Sequence, residues 1–155
     1  MVIKPVKMKG IIKIGIASDH AGYDLKSKLI QYLSDKGYEM KDFGTHSSES
    51  SDYPDFAHPL AEAIEKGKCI IGISICGSGN GISMAANKHQ GIRAALCWNK
   101  EISELARKHN DANICSLPAR FIDFEKAKEI LDVFLNTDFE GGRHERRVKK
   151  ISMEP

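Results

Sequence analysis

The segment ICGSGNGISMAANKH (75–89) places a cysteine at the end of an apolar run, directly before a glycine-rich turn. Glycines follow the cysteine at every second position: Gly77, Gly79 and Gly81. Backbone N–H groups at the start of a helix point outward, and the helix dipole favours negative charge there. Both features favour a thiolate at Cys76, and the same donors, with the Ser78 hydroxyl, suit a developing oxyanion. This chemistry fits removal of a proton beside a carbonyl. The alternative is a packed core cysteine next to a turn that needs glycines for its conformation.

Three known motifs that place glycines beside a phosphate or a catalytic cysteine each require a residue that this segment lacks. A dinucleotide fingerprint needs a third glycine where this chain has Ile82, and the first strand has no glycine turn. A phosphate loop of the Walker type needs a Lys-Ser or Lys-Thr pair, which is absent. A cysteine phosphatase needs an arginine six residues after its nucleophile, and that position is again Ile82.

Apolar runs alternate with amphipathic segments along the whole chain, and this pattern indicates a parallel sheet covered by helices. The strand-like runs cover residues 11–18, 38–44, 69–76, 92–98 and 112–118, with helix-like segments after each. The run CIIGISIC has no polar alternation, as expected of a central strand that is buried on both faces. We predict a single α/β domain: a three-layer αβα Rossmann-like sandwich with five parallel strands in the order 2-1-3-4-5, and a C-terminal helical tail from about residue 140.

In such a sheet, ligands bind at the carboxyl ends of the strands, where the strand order reverses. For the predicted order, that point lies between the first and third strands. The first strand ends in SDHAG (18–22) and the third ends in CGSGNG (76–81). We therefore expect these two loops to be neighbours.

The composition bounds the class of function. The 155 residues are 41% hydrophobic and 28% charged, with a net charge of +2, which is normal for a soluble globular domain and gives no reason to expect a nucleic-acid partner. No stretch approaches the ~18 apolar residues of a membrane span, and the first apolar run is too short and lysine-broken for a secretory signal. We expect a cytoplasmic protein without a membrane partner. Four cysteines, without a CxxC pair, are expected to be reduced and mostly buried, and no spacing predicts a zinc site: Cys69, Cys76, Cys97 and Cys115.

Five separated motifs occur in an order that is similar to one known family. They are SDHAG, CGSGNGISMAANK, GIRAALC, RKHNDAN and EGGRHERRV. Together they resemble the type B ribose-5-phosphate isomerases, a family that also includes galactose-6-phosphate isomerase subunits and allose-6-phosphate isomerases. The resemblance covers about residues 11 to 150. It implies interconversion of an aldose and a ketose through an enediolate, with no metal and no cofactor.

The resemblance also implies roles for residues of the first and third loops. Cys76 would be the base that moves a proton between C1 and C2 of the sugar. Asp19 and His20 would bind the sugar, with Asp19 assisting ring opening, and Tyr53 resembles a family position near the sugar. The loop that stabilises the anion would consist of Gly77, Ser78, Gly79, Asn80 and Gly81.

Further roles fall on the second half of the chain. The resemblance implies that His109 opens the furanose ring, with Asn110 beside it, and that Arg120, Arg143 and Arg147 bind the phosphate. Two of these arginines are four residues apart, so on a helix they share one face and offer forked donors to a dianion. His144 lies in the same basic cluster.

This sequence departs from the family at four places. Ser78 stands where many relatives have threonine, and Asn80 where many have an apolar residue. SLPAR (116–120) has Pro-Ala where glycine is common, which leaves open where Arg120 points. The first nine or so residues have no counterpart, and we expect them to be disordered or strand-like.

Topology and resemblance together predict a site shared between two subunits. His109 ends a crossover helix, whereas Cys76 ends a strand, so within one chain they lie at opposite edges of the sheet. The distance is about 15–20 Å, the length of a strand. The resemblance nevertheless implies that both residues act on one sugar. A partner subunit related by a two-fold axis could supply His109 and Asn110 to the site that holds Cys76. We expect a homodimer, or a tetramer made of two such dimers. Its partner is a phosphorylated sugar. The protein would isomerise ribose 5-phosphate or a hexose 6-phosphate, or it would be a subunit that binds a sugar phosphate without catalysis.

Overall fold

In the computed structural model, which describes residues 12–153, five parallel strands alternate with helices. The strands are β1 (Lys13–Ser18), β2 (Glu39–Asp42), β3 (Ile71–Cys76), β4 (Ala94–Leu96) and β5 (Ile114–Pro118). The helices are α1 (Tyr23–Asp35), α2 (Pro54–Glu65), α3 (Asn80–Ala86), α4 (Lys100–Asn110), α5 (Phe124–Asn136) and α6 (Arg143–Lys149). The α/β class and all five predicted strands are confirmed. The N-terminal extension lies outside the described residues.

Local signals account for where α2, α4 and α5 begin. Asn99 caps α4 by accepting the Ile102 N–H at 2.9 Å, and Asp123 caps α5 by accepting the Lys126 N–H at 2.8 Å. Proline occupies the first position of α2, where its missing N–H is not needed. Two caps and a proline thus set the start of these three helices through residues in or next to the first turn.

Two apolar layers flank the sheet. On one face, Leu29 and Leu33 of α1 pack with Ala106 of α4 and with α5. The α5 residues include Leu131, Phe134 and Leu135, which are at most 2% exposed. The opposite face is covered by α2 and α3, where Leu60 of α2 is buried and the half-buried Phe56 and Ile64 pack against it. The predicted αβα sandwich is confirmed.

The predicted strand order is wrong in its second half. The sheet runs β2-β1-β3-β5-β4, because β5 pairs with β3 from Gly72↔Ile114 to Cys76↔Pro118. All five residues of β5 are buried, whereas β4 has only three residues, each half-buried. The fully buried strand takes the inner position and the short, half-buried strand takes the edge. The reversal of strand order between β1 and β3 is unaffected.

Two further observations concern the cysteines and the lengths of the helices. All four cysteines are free and buried, as predicted. None of the helices between residues 12 and 153 is both long enough and apolar enough to cross a membrane.

Candidate active site

The loops after β1 and β3 are neighbours, as predicted. The Asp19 N–H donates to the carbonyl of Ile75 at 3.2 Å, which ties the first loop to the end of β3. The Asp19 carboxylate accepts the N–H groups of Ala21 at 3.0 Å and Gly22 at 3.3 Å. Asp19 is only 6% exposed, so a turn of its own backbone holds this carboxylate in place at the carboxyl edge of the sheet.

Cys76 is the last residue of β3 and is 4% exposed. The loop after it turns through Gly79, whose φ of 77° is in the left-handed region that favours glycine. The Ser78 hydroxyl accepts the Asn80 N–H at 3.3 Å and keeps its own proton for another acceptor. Between residues 12 and 153, the backbone N–H groups of Ser78 and Gly79 have no acceptor. The loop therefore offers free donors beside a thiol.

Tyr53 lies against this loop. A Cβ atom built on Gly81 would be 2.5 Å from Cζ of Tyr53, so the absence of a side chain at residue 81 lets the ring approach the start of α3. Tyr53 precedes α2 and is 38% exposed. The structure thus brings Tyr53 to the cysteine loop.

The corrected strand order decides the place of Arg120. Because β5 lies next to β3, the loop after β5 continues the ladder: Ala119 N–H donates to the Cys76 carbonyl at 2.9 Å, and Arg120 N–H to the Gly77 carbonyl at 3.0 Å. A Cβ atom on Gly77 would lie 3.1 Å from Nη1 of Arg120. The guanidinium of Arg120 therefore lies over the glycine loop, a placement that the sequence left open.

His20 is held by a residue that the sequence analysis did not single out. The Ser51 N–H donates to Nδ1 of His20 at 3.2 Å, and the His20 N–H donates to the Ser51 hydroxyl at 3.1 Å. Because Nδ1 accepts a backbone proton, the neutral ring carries its proton on Nε2. That proton is free to donate to a sugar hydroxyl. The serine-rich stretch 47–51 carried no spacing signal for this contact.

His109 and Asn110 lie at the other edge of the sheet. They end α4, whose 11 residues correspond to about 16 Å of helix running away from the edge that holds Cys76. The chain then enters β5, where the carbonyl of Asn113 accepts the Gly72 N–H at 2.8 Å. Within one chain, therefore, the structure does not bring His109 to Cys76.

The C-terminal arginines lie with His109 and away from Cys76. The His109 ring stacks on the His144 ring, with centroids 4.2 Å apart and an interplanar angle of 11°. His144 belongs to α6, a helix of about two turns that also carries Arg143 and Arg147 on its exposed side. Burial lowers the pKa of His144, and the neighbouring His109 and both arginines lower it further, against the opposing effect of Glu140. The imidazole of His144 is therefore neutral at neutral pH.

One buried charge near the site was not predicted. Lys26 of α1 is 1% exposed, and its ammonium group donates to both carboxylate oxygens of Asp42, at 2.8 and 2.7 Å. Asp42 also accepts the Gly44 N–H at 2.8 Å, and the Gly44 carbonyl accepts the Ser18 N–H at 2.7 Å. This pair fixes the loop after β2 against the end of β1. A lysine in an amphipathic helix gives no signal of such burial, because lysines normally lie on its solvent face.

Comparison with known proteins identifies the family. The model of the family described as Ribose/Galactose Isomerase matches residues 14–151. This chain belongs to the ribose/galactose isomerase family. The matched region includes the cysteine loop, His109 and all three arginines. The candidate residues at both edges of the sheet therefore lie within the part of the chain that matches the family.

Individual members of the ribose/galactose isomerase family are similar over nearly the whole chain. Ribose-5-phosphate isomerase B of Escherichia coli is 44% identical over 140 residues, which cover 90% of this chain and 94% of the relative. The structure of ribose-5-phosphate isomerase B from Clostridium thermocellum has a TM-score of 0.90 at 53% identity, covering 90% of this chain and 95% of that one. The Mycoplasma genitalium enzyme, solved with bound ribulose-5-phosphate, has a TM-score of 0.87 at 42% identity, covering 90% and 93%.

Proposed function

We propose that this protein interconverts ribose 5-phosphate and ribulose 5-phosphate. The observation that carries the proposal is the buried Cys76 at the end of β3, beside a loop whose Ser78 and Gly79 N–H groups find no acceptor among residues 12–153. Support comes from the relatives named ribose-5-phosphate isomerase B, one of them solved with bound ribulose-5-phosphate. The reaction moves one proton between adjacent carbons, and a single base beside an anion-binding loop is sufficient for it.

The proposed chemistry balances within the substrate. The Cys76 thiolate removes the proton from C2 of the open-chain aldose, and the C2 electron pair forms the enediolate double bond with C1. The negative charge then lies on the C1 oxygen, where the free N–H groups and the Ser78 hydroxyl stabilise it. The thiol returns the proton to C1 while a proton moves from the C2 hydroxyl to the C1 oxygen, which gives the ketose. No oxidant, metal or cofactor enters this sequence.

Other residues act on the ring and the phosphate. In the proposal, His109 donates the proton that opens the furanose, and Asn110 holds the sugar beside it. Arg143 and Arg147, one helical turn apart on α6, bind the phosphate with forked donors.

At the cysteine edge the proposal assigns four more side chains. Asp19 and His20 hold sugar hydroxyls, and Tyr53 and Arg120, which both lie against the glycine loop, close the site around the substrate. Gly77, Asn80 and Gly81 complete the loop itself.

We further propose that each active site uses two subunits. The support is geometric: α4 separates His109 from the cysteine edge by about 16 Å, more than a pentose can span. In a dimer with two-fold symmetry, each chain contributes Cys76 to one site and His109 with the arginines to the other.

Complementation tests the shared site. Cys76→Ser and His109→Ala are prepared separately, shown to be nearly inactive on the cyclic substrate, then unfolded and refolded together. Random pairing makes about half of the dimers mixed, and each mixed dimer has one intact site, so about a quarter of the wild-type activity should return. A mixture that recovers no activity would refute sharing while leaving the isomerase proposal intact.

Turnover tests the substrate. The protein is mixed with ribose 5-phosphate and, separately, with allose 6-phosphate and galactose 6-phosphate, and ketose formation is followed. We expect the pentose to be turned over with the highest kcat/KM. A higher kcat/KM for a hexose 6-phosphate would move the protein to that branch of the family, and binding without turnover of any sugar would indicate a non-catalytic subunit.

Isotope exchange tests the base. Deuterium from the solvent should enter C2 of the recovered aldose with the wild type and not with Cys76→Ser, because a serine hydroxyl is a far weaker acid than a thiol and is not ionised at neutral pH. The variant should still bind substrate, since the phosphate and hydroxyl contacts remain. Near-normal exchange in Cys76→Ser would return Cys76 to a purely structural role.

A further inference from the structure

Three potential metal ligands meet at the end of α4, where His109 contacts a residue pair, Glu140 and His144, that lies far from it in the sequence. The turn before α6 carries Glu140, whose N–H donates to the carbonyl of Lys108 at 3.1 Å. Gly141 and Gly142 follow with φ values of 69° and 57°, and this turn brings His144 back beneath Glu140. Because His144 also stacks on His109, a carboxylate and two imidazoles share one small volume.

The distances are close to those of a coordination sphere. Nε2 of His144 lies 3.8 Å from Oε2 of Glu140, and the ligand atoms of His109, Glu140 and His144 all lie within 4.8 Å of one another. Ligands about 2.0–2.2 Å from a tetrahedral metal are separated by about 3.4 Å. Binding requires rotation of the Glu140 side chain, which is 50% exposed, and tilting of the two rings out of their stack, because the lone pairs of parallel imidazoles 4.2 Å apart do not converge on one ion.

We propose that His109, Glu140 and His144 bind a divalent transition-metal cation such as Zn²⁺, and that the bound cation inhibits the enzyme. Two imidazoles and one carboxylate form a donor set typical of Zn²⁺ and its neighbours rather than of Mg²⁺ or Ca²⁺, which prefer oxygen ligands. The inhibition rests on the proposed function: a metal on His109 occupies the nitrogen that would donate the proton for ring opening. The site is therefore an off-switch and not part of the catalytic reaction.

The surrounding charges set the strength of binding. A metal ligates the neutral imidazole, and burial, His109 and the nearby arginines lower the pKa of His144. Arg143 and Arg147 lie near enough to lower the same pKa, so they also repel a cation. We therefore expect micromolar rather than nanomolar affinity.

A second histidine pair provides a matched control. Nδ1 of His58 lies 2.8 Å from Nε2 of His89, and Nδ1 of His89 lies 2.9 Å from Oε1 of Glu65. This group has the same composition, two histidines and a glutamate, but the facing nitrogens are already paired with each other and with the carboxylate. A metal must break two hydrogen bonds to enter it, so the His58 group should not compete.

Direct binding tests the site without reference to turnover. The full chain, stripped of metal by a chelator, is titrated with Co²⁺ and Zn²⁺ by calorimetry, with Mg²⁺ as the negative control, and the visible absorption of Co²⁺ is recorded. We expect one cation per chain and a four-coordinate Co²⁺ spectrum. Glu140→Gln should bind about tenfold or more weakly, since loss even of an outer-shell partner has that effect, and His58→Ala should bind like the wild type. Equal affinity in Glu140→Gln, or loss of binding in His58→Ala, would overturn the site.

Turnover tests the inhibition. Zn²⁺ should lower the rate with ribose 5-phosphate, EDTA should restore it, and the inhibition curve of Glu140→Gln should shift by the same factor as its binding curve. Metal binding without any effect on turnover would overturn the inhibitory role. Binding by a protein that turns over no sugar phosphate would support the site and overturn the proposed function instead.

Discussion

The buried ion pair between Lys26 and Asp42 allows a sharp test of how burial sets the strength of a salt bridge. Lys26 is 1% exposed and its ammonium group contacts both oxygens of Asp42. Lys26→Met keeps the length and most of the volume of the side chain but removes the charge. Lys36→Met is the matched control, because Lys36 donates to Asp132 at the same 2.8 Å distance while both partners are about 40% exposed, at 42% and 40%.

The expected magnitude follows from what each variant leaves behind. Breaking a fully buried pair by removing one partner costs about 3–5 kcal/mol. Asp42 remains 32% exposed and keeps its hydrogen bond from the Gly44 N–H, so water can rehydrate part of the freed carboxylate. We therefore expect Lys26→Met to lower the free energy of unfolding by about 2 kcal/mol. Lys36→Met should lower it by less than about 1 kcal/mol, as for other exposed pairs.

The assay is urea unfolding of both variants and the wild type at one protein concentration, since any association of subunits makes apparent stability depend on concentration. The slopes with urea should stay equal, so that a change in midpoint reports stability alone. If Lys26→Met costs no more than Lys36→Met, then the low exposure of Lys26 does not govern the pair, and the argument from burial fails.

Three further predictions rest on single contacts. The Ser18 hydroxyl is fully buried and has no hydrogen-bond partner between residues 12 and 153, so Ser18→Ala should raise the free energy of unfolding by about 1 kcal/mol; a loss of stability would reveal a partner. The Gly91 N–H and His89 lower the pKa of Glu65 below its ordinary 4.5. The stabilisation by Glu65 is therefore present above pH 4.5 and is lost as the pH falls through the lowered pKa. The urea midpoints of Glu65→Gln and the wild type should differ at neutral pH and converge in acid. A difference that stays constant with pH would contradict this. Gly81→Ala places a methyl group 2.5 Å from the Tyr53 ring, so it should raise KM while changing stability little, and unchanged KM would remove Tyr53 from the substrate site.

Much of the fold could be predicted because its signals are local. The unbroken apolar run that contains Ile71–Cys76 indicates a strand buried on both faces, and all six residues are buried. The cap at Asn99 and the spacing of Leu131, Phe134 and Leu135 likewise depend on neighbours a few residues away. The approach of the loops after β1 and β3 also follows from the sequence, because every parallel strand must end at one edge.

The order of the last two strands could not be predicted in the same way. Both runs are apolar, and which of them pairs with β3 depends on the fit of side chains that are far apart in the chain. The buried hydroxyls of Ser74 and Ser116, 2.7 Å apart, join β3 to β5, while β4 is reduced to three residues at the edge. This pairing in turn places Arg120 beside Gly77, which the sequence left open.

The sequence by itself determined the class of fold, the helices and strands, and the residues suited to proton transfer, because periodicity, capping and residue chemistry act over a few positions. Only the tertiary structure decided which of those residues meet. It separated His109 from Cys76, joined His109 to Glu140 and His144, and buried Lys26 against Asp42. The physical reason is that such contacts depend on the packing of whole helices against the sheet, and no spacing along the chain encodes the distance between them.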